Sequence, residues 1–172
     1  NLLYVPVTGK LWDSNEALRN AMLQNQHTGD FTFLSQLPTN LGSGTISVDW
    51  PGKDPKSQVI FPQMSIDDGF VDVFKTKIIA GRGFSKDIKT DEQNYILNEK
   101  AIQIMGMTPG SAIGKYFSLW GNKGTIIGVV KDFNFKPIHQ AIEPLVLRYS
   151  KGGSFFVVRT KPGNTEATIG AL

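Results

Sequence analysis

Apolar and polar residues alternate along this chain with two different periods, and the changes of period outline its elements. NLLYVPV, at the start, is an extended run rich in β-branched and aromatic side chains, closed by Thr8-Gly9. In LWDSNEALRNAMLQNQ the period becomes helical. Ala17, Leu18, Ala21 and Met22 share one face, with Asn15, Arg19 and Asn20 outside. Asp13 followed by Glu16 reads as a capping box, and Trp12 is placed to staple onto Ala17. DFTFLSQL then predicts a second strand ended by Pro38, which completes a β-α-β opening.

A polar, glycine-rich connection over 39–45 leads into TISVDWPGKDPKSQVIFPQMSI. There Ile46, Val48 and Trp50 alternate, as do Val59 and Phe61, while Pro51-Gly52 and Asp54-Pro55 interrupt the run. This pattern predicts a hairpin-like excursion. DDGFVDVFKTK carries Phe70, Val71 and Phe74 at helical spacing; IIAGRGFS returns to extended chain with a glycine turn; KDIKTDEQ reads as a solvated loop. YILNEKAIQIMGM predicts a strand running into a helix. Asn98 is its N-cap, Glu99 favours the positive helix end, and Gly106 sits at C′. KYFSLWGNKGTIIGVVKDFNF reads as a hairpin turning at 121–124, and its unbroken apolar run over 126–130 predicts a strand covered on both faces. LVLRYS and FFVVRT are two further strands separated by Lys151-Gly152-Gly153. Pro162-Gly163 marks a turn, and NTEATIGAL opens a last helix with Asn164 or Thr165 as cap.

The element order defines an α+β protein with mostly antiparallel pairing. A strand-helix-strand opening and a strand-helix closing flank a β-rich centre, so one subdomain is expected from both chain ends with a second inserted between. A chain of 172 residues is long enough to bury a core in either arrangement. It begins at Asn1 without methionine and stops inside an expected helix, and it reads as a piece of something longer.

Composition narrows the chemistry. The net charge is +3, with the lysines scattered, so no nucleic-acid footprint is expected. No window nears ~18 consecutive apolar residues, the length a membrane helix needs. Cysteine is absent, which excludes thiolate metal sites, disulfides and cysteine nucleophiles. His27 and His139 are the two histidines; the first reads as a helix end, the second as a rim residue in a proline-bounded loop. GSAIGKY falls one residue short of a phosphate-binding loop and has Tyr116 where a magnesium ligand belongs. Asp67-Asp68 could be a catalytic or calcium-binding pair, but a cap for the helix near Gly69 is the simpler reading. Asp49, Asp54, Asp87 and Asp91 lie in turn-rich sequence, where short acidic side chains are common. No G-x-S-x-G elbow occurs. Trp12, Trp50 and Trp120 each lie beside a turn or cap; they either cover core edges or form a sugar platform, as in a secreted ligand- or glycan-binding module. GVVKDFNFK, residues 128–136, has the look of an active-site strand, an aromatic ligand site or a structural joint.

From residue 65 onward a series of short motifs resembles the extracytoplasmic domain of MacB/FtsX-type ABC transporter permeases. The matching pieces are Gly81-Arg82 with Phe84, Asn98-Glu99 with Ala101, Ile113-Gly114-Lys115, Gly128-Val129-Val130 with Asp132-Phe133, and Glu143-Pro144. NLLYVPV and LSQLPTN are similar to the Bacteroidetes-type version. Asn134 departs from the family, many of whose members carry histidine there.

The resemblance implies a two-lobed fold: a porter-like β-α-β lobe from 1–74 and 144–172, and an inserted β-rich sabre-like lobe from 75–143. It also implies flanking membrane helices, a permease dimer, a cytoplasmic ABC ATPase as energy source, and a periplasmic location on the inner membrane. A periplasmic adaptor, lipoprotein or peptide would be the further partner. The role implied is mechanotransmission, with no catalytic residue, cofactor or metal in this segment. Glycines 81, 114 and 128 then read as tight turns or close backbone approaches. GVVKDFNFK becomes a joint: Phe133 and Phe135 bury, and Asp132 is a turn-forming or backbone-bonding carboxylate.

Overall fold

The computed structural model describes residues 1–9, 15–24, 29–133, 141–160 and 163. Its strands are β1 (Leu2–Pro6), β2 (Phe31–Leu34), β3 (Gly44–Thr45), β4 (Val48–Asp49), β5 (Phe61–Ile66), β6 (Ile78–Gly81), β7 (Tyr95–Asn98), β8 (Tyr116–Leu119), β9 (Asn122–Val130), β10 (Val146–Tyr149) and β11 (Phe155–Arg159). The helices are α1 (Asn15–Gln24), α2 (Phe70–Phe74), α3 (Glu99–Ile104) and α4 (Pro109–Ala112). None of the described helices is long and apolar enough to cross a membrane.

The strands join in the order β1-β11-β2-β5-β10-β7-β9-β8-β4, with β3 added on β5 and β6 on β9. Two pairs, β5–β10 and β7–β9, are parallel, and the remainder are antiparallel. The α+β class with mainly antiparallel pairing is the one the patterning predicts.

Side-chain alternation along β7 divides the interior. Tyr95 and Leu97 enter a cluster with Ala101 and Ile102 of α3, Phe117 and Leu119 of β8, and Val129. Ile96 enters the opposite cluster, with Phe70 and Val73 of α2, Val130, and Leu147. A third, smaller cluster lies under α1, where Met22 meets Val7, Phe33, Phe156 and Val158. β9, expected to be covered on both faces, buries Ile126 and residues 128–130, and half-buries Ile127.

Several expectations are corrected. The excursion over 45–61 closes antiparallel at its base, Thr45 against Phe61, but its two alternating runs do not pair with each other. β4 instead pairs with β8 (Val48↔Leu119), and β3 pairs with β5 (Thr45↔Phe61). The turns at Pro51-Gly52 and Asp54-Pro55 uncouple the two alternating runs, so β4 takes a distant partner while Phe61 pairs back onto Thr45. Val59 and Ile60 are left exposed. The β8–β9 turn lies at Trp120-Gly121, two residues ahead of the expected 121–124, because Leu119 pairs directly with Asn122. Both turn residues have positive φ, 53° and 79°, as a two-residue type I′ connection requires.

The solvated loop at KDIKTDEQ is a 3₁₀ turn, Lys89–Gln93, whose Asp91 is fully buried. β2 stops at Leu34, and Pro38 begins a 3₁₀ turn of its own, Pro38–Asn40. On α1, Met22 is buried and Leu18 half-buried, but Ala17 and Ala21 are exposed and Arg19 turns inward. The Asp13–Glu16 capping box, the Trp12 staple, the last helix with Asn164 or Thr165, and Asn134, Phe135, His27 and His139 fall wholly or partly outside the described residues.

Candidate functional site

The motif residues converge on the middle of β9. Gly81 pairs with Gly128 across β6 and β9. A Cβ on Gly128 would lie 2.1 Å from the Arg82 carbonyl oxygen, and one on Gly81, where φ is +68°, would lie 2.1 Å from the Ile127 carbonyl oxygen. No side chain fits between these backbones, which is the physical reason both positions are glycine. Arg82 N–H donates to the Ile127 carbonyl at 3.0 Å, and Gly114 N–H to the Ile126 carbonyl at 2.9 Å. The segments around Gly81 and Gly114 thus close on three consecutive β9 residues, Ile126, Ile127 and Gly128.

Polar side chains fasten the surrounding segments. The Arg82 guanidinium forks onto Asp91, Nη1 to Oδ2 and Nη2 to Oδ1 at 2.7 Å each, and Ser85 N–H donates to Asp91 Oδ2 at 2.9 Å. Burial works to raise the Asp91 carboxyl pKa, but the Arg82 and Ser85 donors outweigh it and hold it below the ordinary carboxylate value. Asn98 Oδ1 accepts from Ala101 N–H at 3.0 Å, as the N-cap of α3, and from Leu145 N–H at 2.8 Å. Its Nδ2 donates to the Glu143 carbonyl at 2.9 Å, so one side chain holds α3 to the segment around buried Pro144.

At the exit of β9 two carboxylates cross. Glu99 Oε2 accepts Asp132 N–H at 2.8 Å, and Asp132 Oδ1 accepts Lys100 N–H at 3.0 Å. Burial raises the Asp132 pKa, and the nearby Glu99 charge adds to the effect. Asp132 therefore bonds backbone at the first turn of α3. Phe133 packs against the α2 cluster with its ring 6.1 Å from that of Phe70, and the Phe84 ring lies 5.7 Å from that of Tyr149.

A second polar cluster lies beneath α1. Asp67 is 1% exposed and accepts from Thr32 Oγ1, from Arg19 Nη2, and from Gly69 N–H at 3.0 Å. It does not cap α2, whose N-cap is Gly69 without a side-chain bond; it ties α1, β2 and the start of α2 together instead. Burial raises the Asp67 pKa against the pull of Thr32 and Arg19. Tyr149 is pushed up to about 12 by burial, with Asp68 reinforcing the shift. Asp67 and Asp91 were missed as structural centres; the available signal was an arginine at a spacing that the fold, not a helix, brings into contact.

The alternative sites dissolve on inspection of their geometry. GSAIGKY begins in α4, a single turn with a Thr108–Ser111 capping box, and leads into β8, so it opens no helix toward a phosphate. Trp50 is buried at 6% against Phe61, whereas Trp120 is 44% exposed, so these two do not share a platform. Among the described residues no group of three or more His, Asp or Glu side chains could hold a metal ion. What the arrangement does chemically is bind segment to segment through buried and half-buried side chains.

A mixed sheet built this way has the fold of the extracytoplasmic domains of MacB-like ABC transporter permeases. The periplasmic region of MacB from Actinobacillus actinomycetemcomitans superposes with a TM-score of 0.64 at 16% identity, covering 99% of this chain and 79% of that one. The extracellular domain of the noncanonic ABC-type transporter YknZ from Gram-positive bacteria gives 0.65 at 15% identity, over 99% and 89%. A domain assigned to a permease protein of Porphyromonas gingivalis gives 0.60 at 16% identity, over 98% and 77%. No protein-family model matches the chain, nor does any curated protein.

Proposed function

We propose that this chain is a non-catalytic extracytoplasmic domain of an ABC transporter permease subunit. It transmits motion of flanking membrane helices, driven by a cytoplasmic ATPase, to a periplasmic substrate or partner. The observation that carries the reading is the fold likeness over 98% or more of the chain to two extracytoplasmic domains, of MacB and YknZ, and to a domain of a permease protein. The polar junction supports it, since a load-bearing domain needs stiffness rather than reactive groups, and close-packed interiors transmit displacement with little give.

Strand order supports the division into a lobe from 1–74 and 144–172 and an inserted lobe from 75–143. β1, β11, β2, β5 and β10 are contiguous, and β7, β9 and β8 follow. β4 is the exception, crossing from the first segment to pair with β8 of the insert. In this reading the Glu99 and Asp132 bonds stiffen the inserted lobe by fastening α3 to the exit of β9, and the Leu145 N–H bond to Asn98 Oδ1 ties that lobe to the returning chain of the other.

The coding sequence around the chain tests the placement: hydrophobic spans are expected shortly before Asn1 and beyond Leu172, and their absence would sink it. In the complete permease, Asp132→Ala should leave ATPase activity near normal while transport falls. Equal loss of both, with the protein folded and in the membrane, would argue against a transmitting role.

A further inference from the structure

We propose that the cleft beside the β8–β9 turn is a carboxylate-binding subsite anchored by Arg148. It is separate from the β9 junction and does not depend on the transport reading. Three of the four arginines donate to oxygen: Arg19 to Asp67 and Asp68, Arg82 to Asp91, and Arg159 Nε to the Val73 carbonyl at 2.7 Å. Arg148 donates to none among the described residues. Its Nε is fully shielded from solvent and has no hydrogen-bond partner. A guanidinium carries five N–H donors in a fork that matches a carboxylate, so a half-buried one without an acceptor is an incomplete pair. Burial also lowers the Arg148 pKa, the mark of a cation without a counter-charge.

A second observation points to the same place. Trp120 occupies the first position of the type I′ turn at φ 53°, a conformation that asparagine or glycine adopts readily and a bulky aromatic does not. At 44% exposure, core burial does not account for it. Its ring lies 5.0 Å from the Arg148 guanidinium carbon, where it shields and orients the cation. Backbone strain retained at an exposed aromatic over an unpaired cation is a feature of ligand clamps.

The cleft that Arg148 lines has a volume of about 330 Å³, with Tyr95, Tyr149, Asn122, Lys123 and Glu92 along its walls. That is near the small end of ligand sites, which run from roughly 300 to 1,000 Å³. It suits a small acid or one residue at a peptide terminus. Glu92, paired to Lys151 at 3.4 Å, brings a negative charge to the wall, so a singly charged carboxylate is preferred over a phosphate dianion.

The test follows the Arg148 Nε–H and Trp120 indole N–H signals of the 172-residue chain by ¹⁵N NMR during titration. The probes are N-acetyl-leucyl-alanine, its C-terminal amide, sodium acetate and inorganic phosphate, each against matched sodium chloride. The acid should give saturable shifts that the amide and chloride do not. Acetate binding as tightly as the peptide acid would identify a small acid as the occupant, and weaker acetate binding a peptide terminus. Arg148→Gln should weaken the acid about tenfold or more, the worth of a charged hydrogen-bonded pair. Trp120→Gly should also weaken it, yet leave the melting temperature unchanged or raised because the turn strain is relieved. Shifts shared equally with the amide or with chloride, or unchanged affinity in Arg148→Gln, would overturn the proposal. So would tighter binding of phosphate, or a Trp120→Gly variant that loses stability but keeps affinity.

Discussion

Asn98→Ala is the most informative single change at the junction. The Asn98 side chain is fully buried, and both its polar atoms are engaged, Oδ1 with two backbone N–H groups and Nδ2 with a backbone carbonyl. Alanine deletes the α3 cap, worth about 1 kcal/mol. It also strips the Leu145 N–H and the Glu143 carbonyl of their partner, at roughly 1–3 kcal/mol each for buried groups. Water entering the vacated space recovers part of this, so a net loss of about 3–5 kcal/mol is expected. Domains of this kind have about 5–15 kcal/mol in total, so the variant should fold but unfold early. With a urea slope of about 2 kcal/mol/M, the midpoint should fall by roughly 1.5–2.5 M. Equilibrium urea unfolding followed by far-ultraviolet circular dichroism measures it. Asn98→Asp adds a sharper check, because its second carboxylate oxygen would face the Glu143 carbonyl. Its deficit should therefore be full at neutral pH and shrink on acidification, when a protonated carboxyl can donate to that carbonyl. A midpoint within about 0.3 M of the parent for Asn98→Ala would refute the reasoning, since the extrapolated cost would then be under about 1 kcal/mol.

Two further outcomes follow from the same region. Gly128→Ala should cost about 1–3 kcal/mol or more, because its Cβ would fall 2.1 Å from backbone that cannot swing aside. Gly110→Ala, with nothing within 4 Å, should be near neutral in the same thermal melts, and equal costs would contradict the close-approach argument. Asp91→Asn should lower the melting temperature at neutral pH. Because the folded pKa of Asp91 lies below the ordinary value of about 3.9, its contribution is full above that pH and lost as acid protonates it. The parent and variant should therefore converge as the pH falls through that lowered folded pKa, and a difference undiminished by acid would exclude the Arg82–Asp91 pair as the cause.

The start of α3 was legible because it is local. Asn98, Glu99 and Gly106 act within a turn or two of themselves, and the expected cap and C′ residue are where the backbone uses them, Gly106 with φ of +71°. The buried run at 126–130 was legible for a similar reason, since an unbroken apolar stretch has no solvent face to offer. The motif order carried the family resemblance and the fold with it.

Partner choice was not legible. Val48 and Trp50 alternate as a strand should, but nothing within that run says that its neighbour is β8, some seventy residues on. Asp91 sits among polar loop residues, and only the return of β6 along β9 brings the Arg82 fork onto it and makes its burial tolerable. Asp67 reads as a helix cap until α1 and β2 supply Arg19 and Thr32. Arg148 is an ordinary strand residue in sequence, and its missing acceptor exists only as a property of the assembled neighbourhood. The chain by itself determined conformation wherever side chain and backbone of adjacent residues decide it. The tertiary structure decided which strands pair, which charges are buried and which stay unpaired, because those depend on burial summed over residues far apart in sequence.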